Sequence, residues 1–122
     1  MRCWPRPVYS IRRDDAVYLH HMLDAANRAV QYTAGRTRDD LASDDLLALA
    51  VVRLIEILGE AARNVSEDIK VRHSQVPWRQ VISTRNRLIH GYFDVDLDIL
   101  WAIIENDLPK LVPQLEDILD ER

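Results

Sequence analysis

Residues Leu46–Ala62 read LLALAVVRLIEILGEAA, and this stretch decides the fold. Its charged residues are Arg53, Glu56 and Glu60, and Arg63 follows just beyond it. Spacings of three and four put all four on one narrow helical stripe with alternating partners of opposite sign. The run is too long for a strand and does not alternate with period two. A helix that is apolar around most of its circumference belongs in the middle of a bundle. Gly59 costs such a helix about 1 kcal/mol relative to alanine, so its presence predicts a close crossing with another helix.

Outward from this core, Ser43 or Asp44 is the expected N-cap, and the helix is expected to reach about Val65. Upstream, a first helix starts between Ser10 and Asp15 and runs to about Ala34, where Gly35 suits the position after a helix end. Leu19, Met22, Leu23, Ala26, Val30 and Thr33 are its expected apolar stripe. The connection GRTRDDLASDD is polar, with room for one short helical turn. Downstream, Pro77 suits the first turn of a third helix that runs through Ile89 and is ended by Gly91. Asp94 or Asp96 caps a fourth helix, LDILWAIIEN. Pro109 either kinks it or starts a fifth, and Pro113 is easiest to place near the beginning of that new helix. The expected fold is all-α, an antiparallel bundle of four to five helices.

Length and composition agree: 122 residues are one domain's worth, with 48% hydrophobic and 30% charged residues, a globular balance. No apolar run approaches the roughly 20 residues of a membrane span. The start, MRCWPRPVYS, lacks the apolar region of a signal peptide. The single cysteine, Cys3, has no partner for an internal disulfide, so a reducing, cytoplasmic setting is expected. A net charge of −4 argues against broad nonspecific binding to nucleic acid. The charge is uneven, however. Residues Ala61–Phe93 hold six cations and two anions, which leaves an acidic remainder around a local basic patch. Such a patch fits phosphate contact at one place, and chance clustering in a short chain explains it equally well.

The third helix contains an arginine that its pattern does not expect. With Trp78 at 0° and about 100° per residue, Val81 falls near 300°, Ile82 near 40°, Leu88 near 280° and Ile89 near 20°. Arg85 falls near 340°, inside that apolar arc, while Arg79, Gln80, Ser83 and Arg87 take the other side. A buried charge costs several kcal/mol unless paired. Arg85 therefore requires either a carboxylate, with Glu56 or Glu60 the candidates, or a cleft that faces a ligand or second chain. His90 follows five residues on, and Gly91 lets the chain turn there. An imidazole can take a proton from a ribose 2′-hydroxyl or give one to a leaving oxygen, and a guanidinium can stabilise the charge of a phosphorane. The plain alternative is a histidine that complements a helix C-terminus. His20 and His21 are adjacent and cannot chelate as an i, i+4 pair would, and His73 sits in a polar connection without a ligand-spaced partner. No metal site, glycine-rich phosphate loop or nucleophile elbow is evident, and no metal is expected.

At Arg85-Asn86-Arg87-Leu88-Ile89-His90-Gly91-Tyr92 the sequence resembles R-x-x-x-x-H-x-Y, the signature of HepT-like toxins of the HEPN superfamily. IEILGEAARNVSE and VPWRQVISTRNRLIHGYFDVDLDILWAIIENDLP also look like this family, and the likeness covers about Ser10 to Leu119. Residues 1–10 are expected to be an N-terminal extension and 11–122 the HEPN helical domain. The resemblance implies a prokaryotic endoribonuclease toxin that needs no metal and works as a homodimer. Two Arg/His pairs would then meet in one cleft where RNA is cut. It implies Arg85 and His90 as the catalytic pair, Asn86 as a residue that orders the site, and Arg79 and Arg87 as candidates for RNA contact. It further implies an MntA-type nucleotidyltransferase antitoxin that adds AMP to Tyr92, using ATP and magnesium on the partner. The alternative is a catalytically inactive HEPN module that binds and regulates a nucleotidyltransferase.

Overall fold

In the computed structural model, which describes residues 11–91 and 94–121, the chain forms α1 (Arg13–Thr33), α2 (Arg38–Ser43), α3 (Asp45–Asn64), α4 (Glu67–Arg72) and α5 (Trp78–Leu88). A two-residue antiparallel pair follows, β1 (Ile89–His90) with β2 (Asp94–Val95). Then come α6 (Leu97–Ala102), a π-helical turn (Ile103–Asp107) and α7 (Leu108–Leu119). The architecture is all-α, as the periodicity of the sequence predicts.

The central apolar helix is α3. The Asp44 carboxylate accepts from the Leu47 N–H at 3.1 Å and caps its start. It packs against α1 on one side and α5 on another, and α1 in turn packs against α7. Val51, Ile55, Leu58 and Ala62 are fully or almost fully buried between them. Gly59 marks the crossing with α5: a Cβ there would stand 3.1 Å from the Val81 carbonyl oxygen and 3.5 Å from that of Ile82. The crossing foreseen at Gly59 is therefore real, and it is close enough to bring backbone against side-chain position. Burial of α3 is incomplete, since Leu46 is 80% and Leu49 53% exposed.

On α1 the buried positions are Leu19, Met22, Ala25, Ala26, Ala29 and Thr33. Val30, expected inside, is exposed, because the contact face turns through the alanines, which let α3 approach. Gly35, with φ +75°, ends the helix as expected. The short turn expected in the connection is α2, held by a capping box in which Thr37 and Asp40 satisfy each other's backbone N–H groups.

Helix α4 is not among the expected elements. Ser66 caps it, and the buried Asp15 of α1 accepts from the Ser66 N–H at 2.8 Å and its hydroxyl at 2.7 Å. His73, expected in a polar connection, is buried at the end of α4, with Nε2 3.2 Å from Glu121. Its carbonyl accepts from the Trp78 indole at 3.0 Å.

After β2, the Asp96 side chain caps α6 by accepting from the N–H groups of Asp98 and Ile99. From Leu97 to Leu119 the chain is one helical rod, since the junction residues Ile103, Asp107 and Leu108 all keep right-handed helical angles. Pro109 stands in the first turn of α7, as the second of its two expectations has it, with the backbone helical through the junction. The π turn immediately before it loosens the hydrogen-bond ladder where a residue without an N–H must enter. Pro113 lies inside α7, six residues in, and not near its beginning. There the missing N–H leaves the Pro109 carbonyl without its regular helical donor.

Candidate active site

Among the described residues, α5 carries most of the candidates. Its buried positions are Trp78, Val81, Thr84 and Leu88, an arc centred near 295° with Trp78 at 0°. The helix stops at Leu88, one residue short of expectation. Ile89 takes extended angles, φ −114° and ψ 122°, and its N–H closes the last turn on the Arg85 carbonyl. Gly91, with φ +78°, then turns the chain back so that His90 pairs with Asp94 and Ile89 with Val95. The positive φ favours glycine here.

Arg85 lies at the edge of the buried arc. Its side chain is 62% exposed, so it does not carry the cost of a buried charge. It does have the expected carboxylate: Nε donates to Glu56 Oε2 at 2.8 Å. The second Glu56 oxygen lies 3.6 Å from Arg53 Nη1. One carboxylate of α3 thus sits between two guanidinium groups and aims that of Arg85 across the α3–α5 crossing. Exposed ion pairs of this kind are worth little to stability, typically under about 1 kcal/mol. Nothing in folding energetics therefore accounts for an arginine at this place.

His90 is 63% exposed, and Nε2 stands 3.9 Å from Asp96 Oδ2. That is beyond hydrogen-bond reach, and the two form an ion pair only when the ring is protonated. Asp96 is fixed by its other work, because its Oδ1 caps α6 and its N–H donates to the Leu88 carbonyl at 2.8 Å. A sequence reading of Asp96 as a cap misses this second role. The signal that reveals it is a glycine turn flanked by a histidine and an aspartate at hairpin spacing.

Asn86 and Arg87, the two residues after Arg85, are both exposed. Arg87 points about 160° away from Arg85 around the helix and lines a cleft on the other flank of α5. Arg79 is exposed in the first turn, about 9 Å further along the axis, and is not brought beside Arg85 and His90. Tyr92 lies outside the described residues. No described group of three or more His, Cys, Asp or Glu side chains converges as a metal site would require. No helix among the described residues is long and apolar enough to cross a membrane.

Comparison with known proteins decides the family. The model of the family described as "HepT-like: Ribonuclease HepT-like" matches residues 22–118, which run from within α1 to the end of α7 and include the whole of α5. The chain belongs to this family. Three curated relatives place the HepT-like chain more closely. It is 35% identical over 111 residues to a "Gamma-glutamylcyclotransferase and putative RNase" of Methanocaldococcus jannaschii, covering 91% of this chain and 50% of the relative. It is 36% identical over 104 residues to a "Putative RNase" of Caldanaerobacter subterraneus subsp. tengcongensis, covering 85% and 93% of the two chains. It is 33% identical over 108 residues to the "Probable ribonuclease HepT" of Thermococcus cleftensis, covering 88% and 98%. This HepT-like chain thus spans about half the length of the first relative and nearly all of the other two. No solved structure matches it.

Proposed function

We propose that this HepT-like protein is the endoribonuclease toxin of a prokaryotic toxin–antitoxin pair, with Arg85 and His90 as its catalytic groups. The observation that carries the reading is Arg85 itself. It is a solvent-facing guanidinium, aimed by Glu56 at 2.8 Å with little return in stability, five residues before an exposed histidine in a family of ribonucleases. In the reaction, His90 accepts the proton of a ribose 2′-hydroxyl, and the resulting oxygen attacks the adjacent phosphorus. A 2′-O–P bond forms, the P–O5′ bond breaks, and the 5′-oxygen leaves with the proton returned by the His90 imidazolium, giving a cyclic 2′,3′-phosphate, a 5′-hydroxyl and neutral His90. Arg85 stabilises the negative charge that accumulates on the phosphorane oxygens, in competition with its resting partner Glu56. Asn86, exposed beside Arg85, orders the substrate, and Arg79 and Arg87 offer further phosphate contacts.

The working form in this reading is a homodimer with two Arg85/His90 pairs in one cleft. Support comes from α3, where Leu46, Leu49, Arg53 and Glu56 share an arc of about 80°. Leu46 and Leu49 are exposed apolar members of that arc, so a second copy seated on them lies near the Glu56 that holds Arg85. An MntA-type nucleotidyltransferase antitoxin silences the toxin by adding AMP to Tyr92, which places charge and bulk two residues from His90. The test is induced expression of wild type and His90→Ala, with folding checked by circular dichroism and mass by light scattering. Purified proteins are then assayed on labelled RNA. Growth arrest and cyclic-phosphate products from the wild type alone are expected. Equal behaviour of the two proteins sinks the catalytic assignment and leaves an interaction module for a nucleotidyltransferase.

A further inference from the structure

On the far flank of α5 from Arg85 lies a cleft of about 400 Å³, walled by α5, the π turn and α7. This is within the size range of small-ligand sites. Its floor is apolar, formed by Ile55, Leu58, Val81 and Leu111. Its rim carries two cations, Arg87 and Lys110, together with the amides of Gln80 and Gln114 and the carboxylate of Asp107. Neither cation has an ion-pair partner among the described residues. Gln114 spends one amide hydrogen on the Gln75 carbonyl at 3.2 Å, which fixes its head group across the mouth and leaves its oxygen available. The Thr84 hydroxyl is turned inward to the Gln80 carbonyl at 2.6 Å and offers no proton to the cleft.

From these groups we infer that the cleft is a binding site for one nucleotide. The apolar floor takes the face of a base, and the glutamine amides meet donors and acceptors on its edge. Arg87 and Lys110 meet the phosphate, and Asp107 accepts from a ribose hydroxyl. Hydrogen bonds to base edges and cations on phosphate are contacts that single-stranded RNA recognition uses. Arg87 ties the cleft to the candidate active site, because it lies two residues after Arg85 and three before His90 on the opposite side of a helix about 10–12 Å across. A strand that crosses the end of α5 therefore reaches from Arg85 to the cleft within a few nucleotides. The site would then hold a base flanking the scissile bond and confer sequence preference. That use of the site rests on the ribonuclease reading, whereas binding of a nucleotide does not.

The test uses His90→Ala protein, so that any bound strand stays intact, with and without the added pair Gln80→Ala/Lys110→Ala. Both positions are exposed, so melting curves should overlay. Titrations with fluorescent six-nucleotide RNAs and with AMP, GMP, CMP and UMP separate a strand from a free nucleotide as the source. The expected result is a Kd for RNA raised about tenfold or more by the added pair, as for lost contacts to a charged group. The slope of log K against log salt should become shallower by about 0.7 for the one phosphate contact removed. Weakened binding of a mononucleotide with unchanged RNA binding would support the site and assign it to free nucleotides. Unchanged binding of both ligand types would overturn it. Cleavage by the protein with native His90 reports separately on the ribonuclease reading: failure to cut RNA, with the nucleotide site intact, removes the first proposal and leaves the second.

Discussion

Arg85→Ala separates a catalytic arginine from a structural one, because the two roles predict opposite patterns. The Arg85 side chain is 62% and Glu56 24% exposed, closer to a surface pair than a buried one. A pair of that kind contributes about 0.2–1 kcal/mol. Truncation does not strand the carboxylate, since Arg53 Nη1 remains 3.6 Å from its other oxygen. For a chain of 122 residues, the expected loss lowers Tm by no more than about 4 °C. A buried structural clamp would lose about 3–5 kcal/mol instead, and more than about 10 °C. The rate should behave the other way, falling by about 10²–10³ as when a preorganised donor to a developing charge is removed. Thermal melts followed by circular dichroism, beside initial rates on a labelled RNA, read both quantities from one preparation. A Tm drop beyond about 10 °C, or cleavage within threefold of wild type, would refute the assignment.

Three other substitutions test the scaffold. Gly59→Ala gains about 1 kcal/mol of helix propensity but drives a methyl against the Val81 carbonyl at 3.1 Å, and overpacking of this kind costs about 1–3 kcal/mol. A net loss near 1 kcal/mol is expected in urea titrations, and stabilisation would show that α5 yields easily. Asp15→Ala leaves the Ser66 N–H and hydroxyl without their buried acceptor, so about 1.5–3 kcal/mol should be lost, with hydrogen exchange rising first in α4. Gly91→Ala meets no steric obstacle but forces a side chain into positive φ at about 1–2 kcal/mol. It should lower cleavage by displacing His90, and wild-type rates would show that the turn does not position that residue.

Elements whose signals are local were legible in the sequence. Asp44, Asp96 and Gly35 announce helix ends because their chemistry acts within a few residues. Gly59 was legible for a related reason, since a glycine inside an apolar helix needs a crossing to justify it. What escaped depends on distant partners. The cap of α4 becomes effective through Asp15, 51 residues away, and His73 is buried by its approach to Glu121, 48 residues on. Arg85 shows the same divide. Its spacing puts it on the apolar side with Glu56 or Glu60 as partner, and Glu56 is the one it meets, but the true buried arc is rotated toward Thr84, whose hydroxyl is hidden by bonding its own helix at Gln80. A threonine that satisfies itself this way counts as apolar in packing, and a pattern of residue types does not record that.

The π turn at Ile103–Asp107 makes the chain's length, and not only its composition, a determinant of the cleft beside it. Such a turn fits one more residue into a helix than the regular ladder holds, and one residue corresponds to a rotation of about 100°. Shortening that segment by one would let the ladder close and rotate the buried face of α7, carrying Lys110 and Gln114 away from α5. In this rod insertions and deletions are therefore not neutral changes of length. They act as a phase shift that opens or erases a binding surface while every lining side chain keeps its identity.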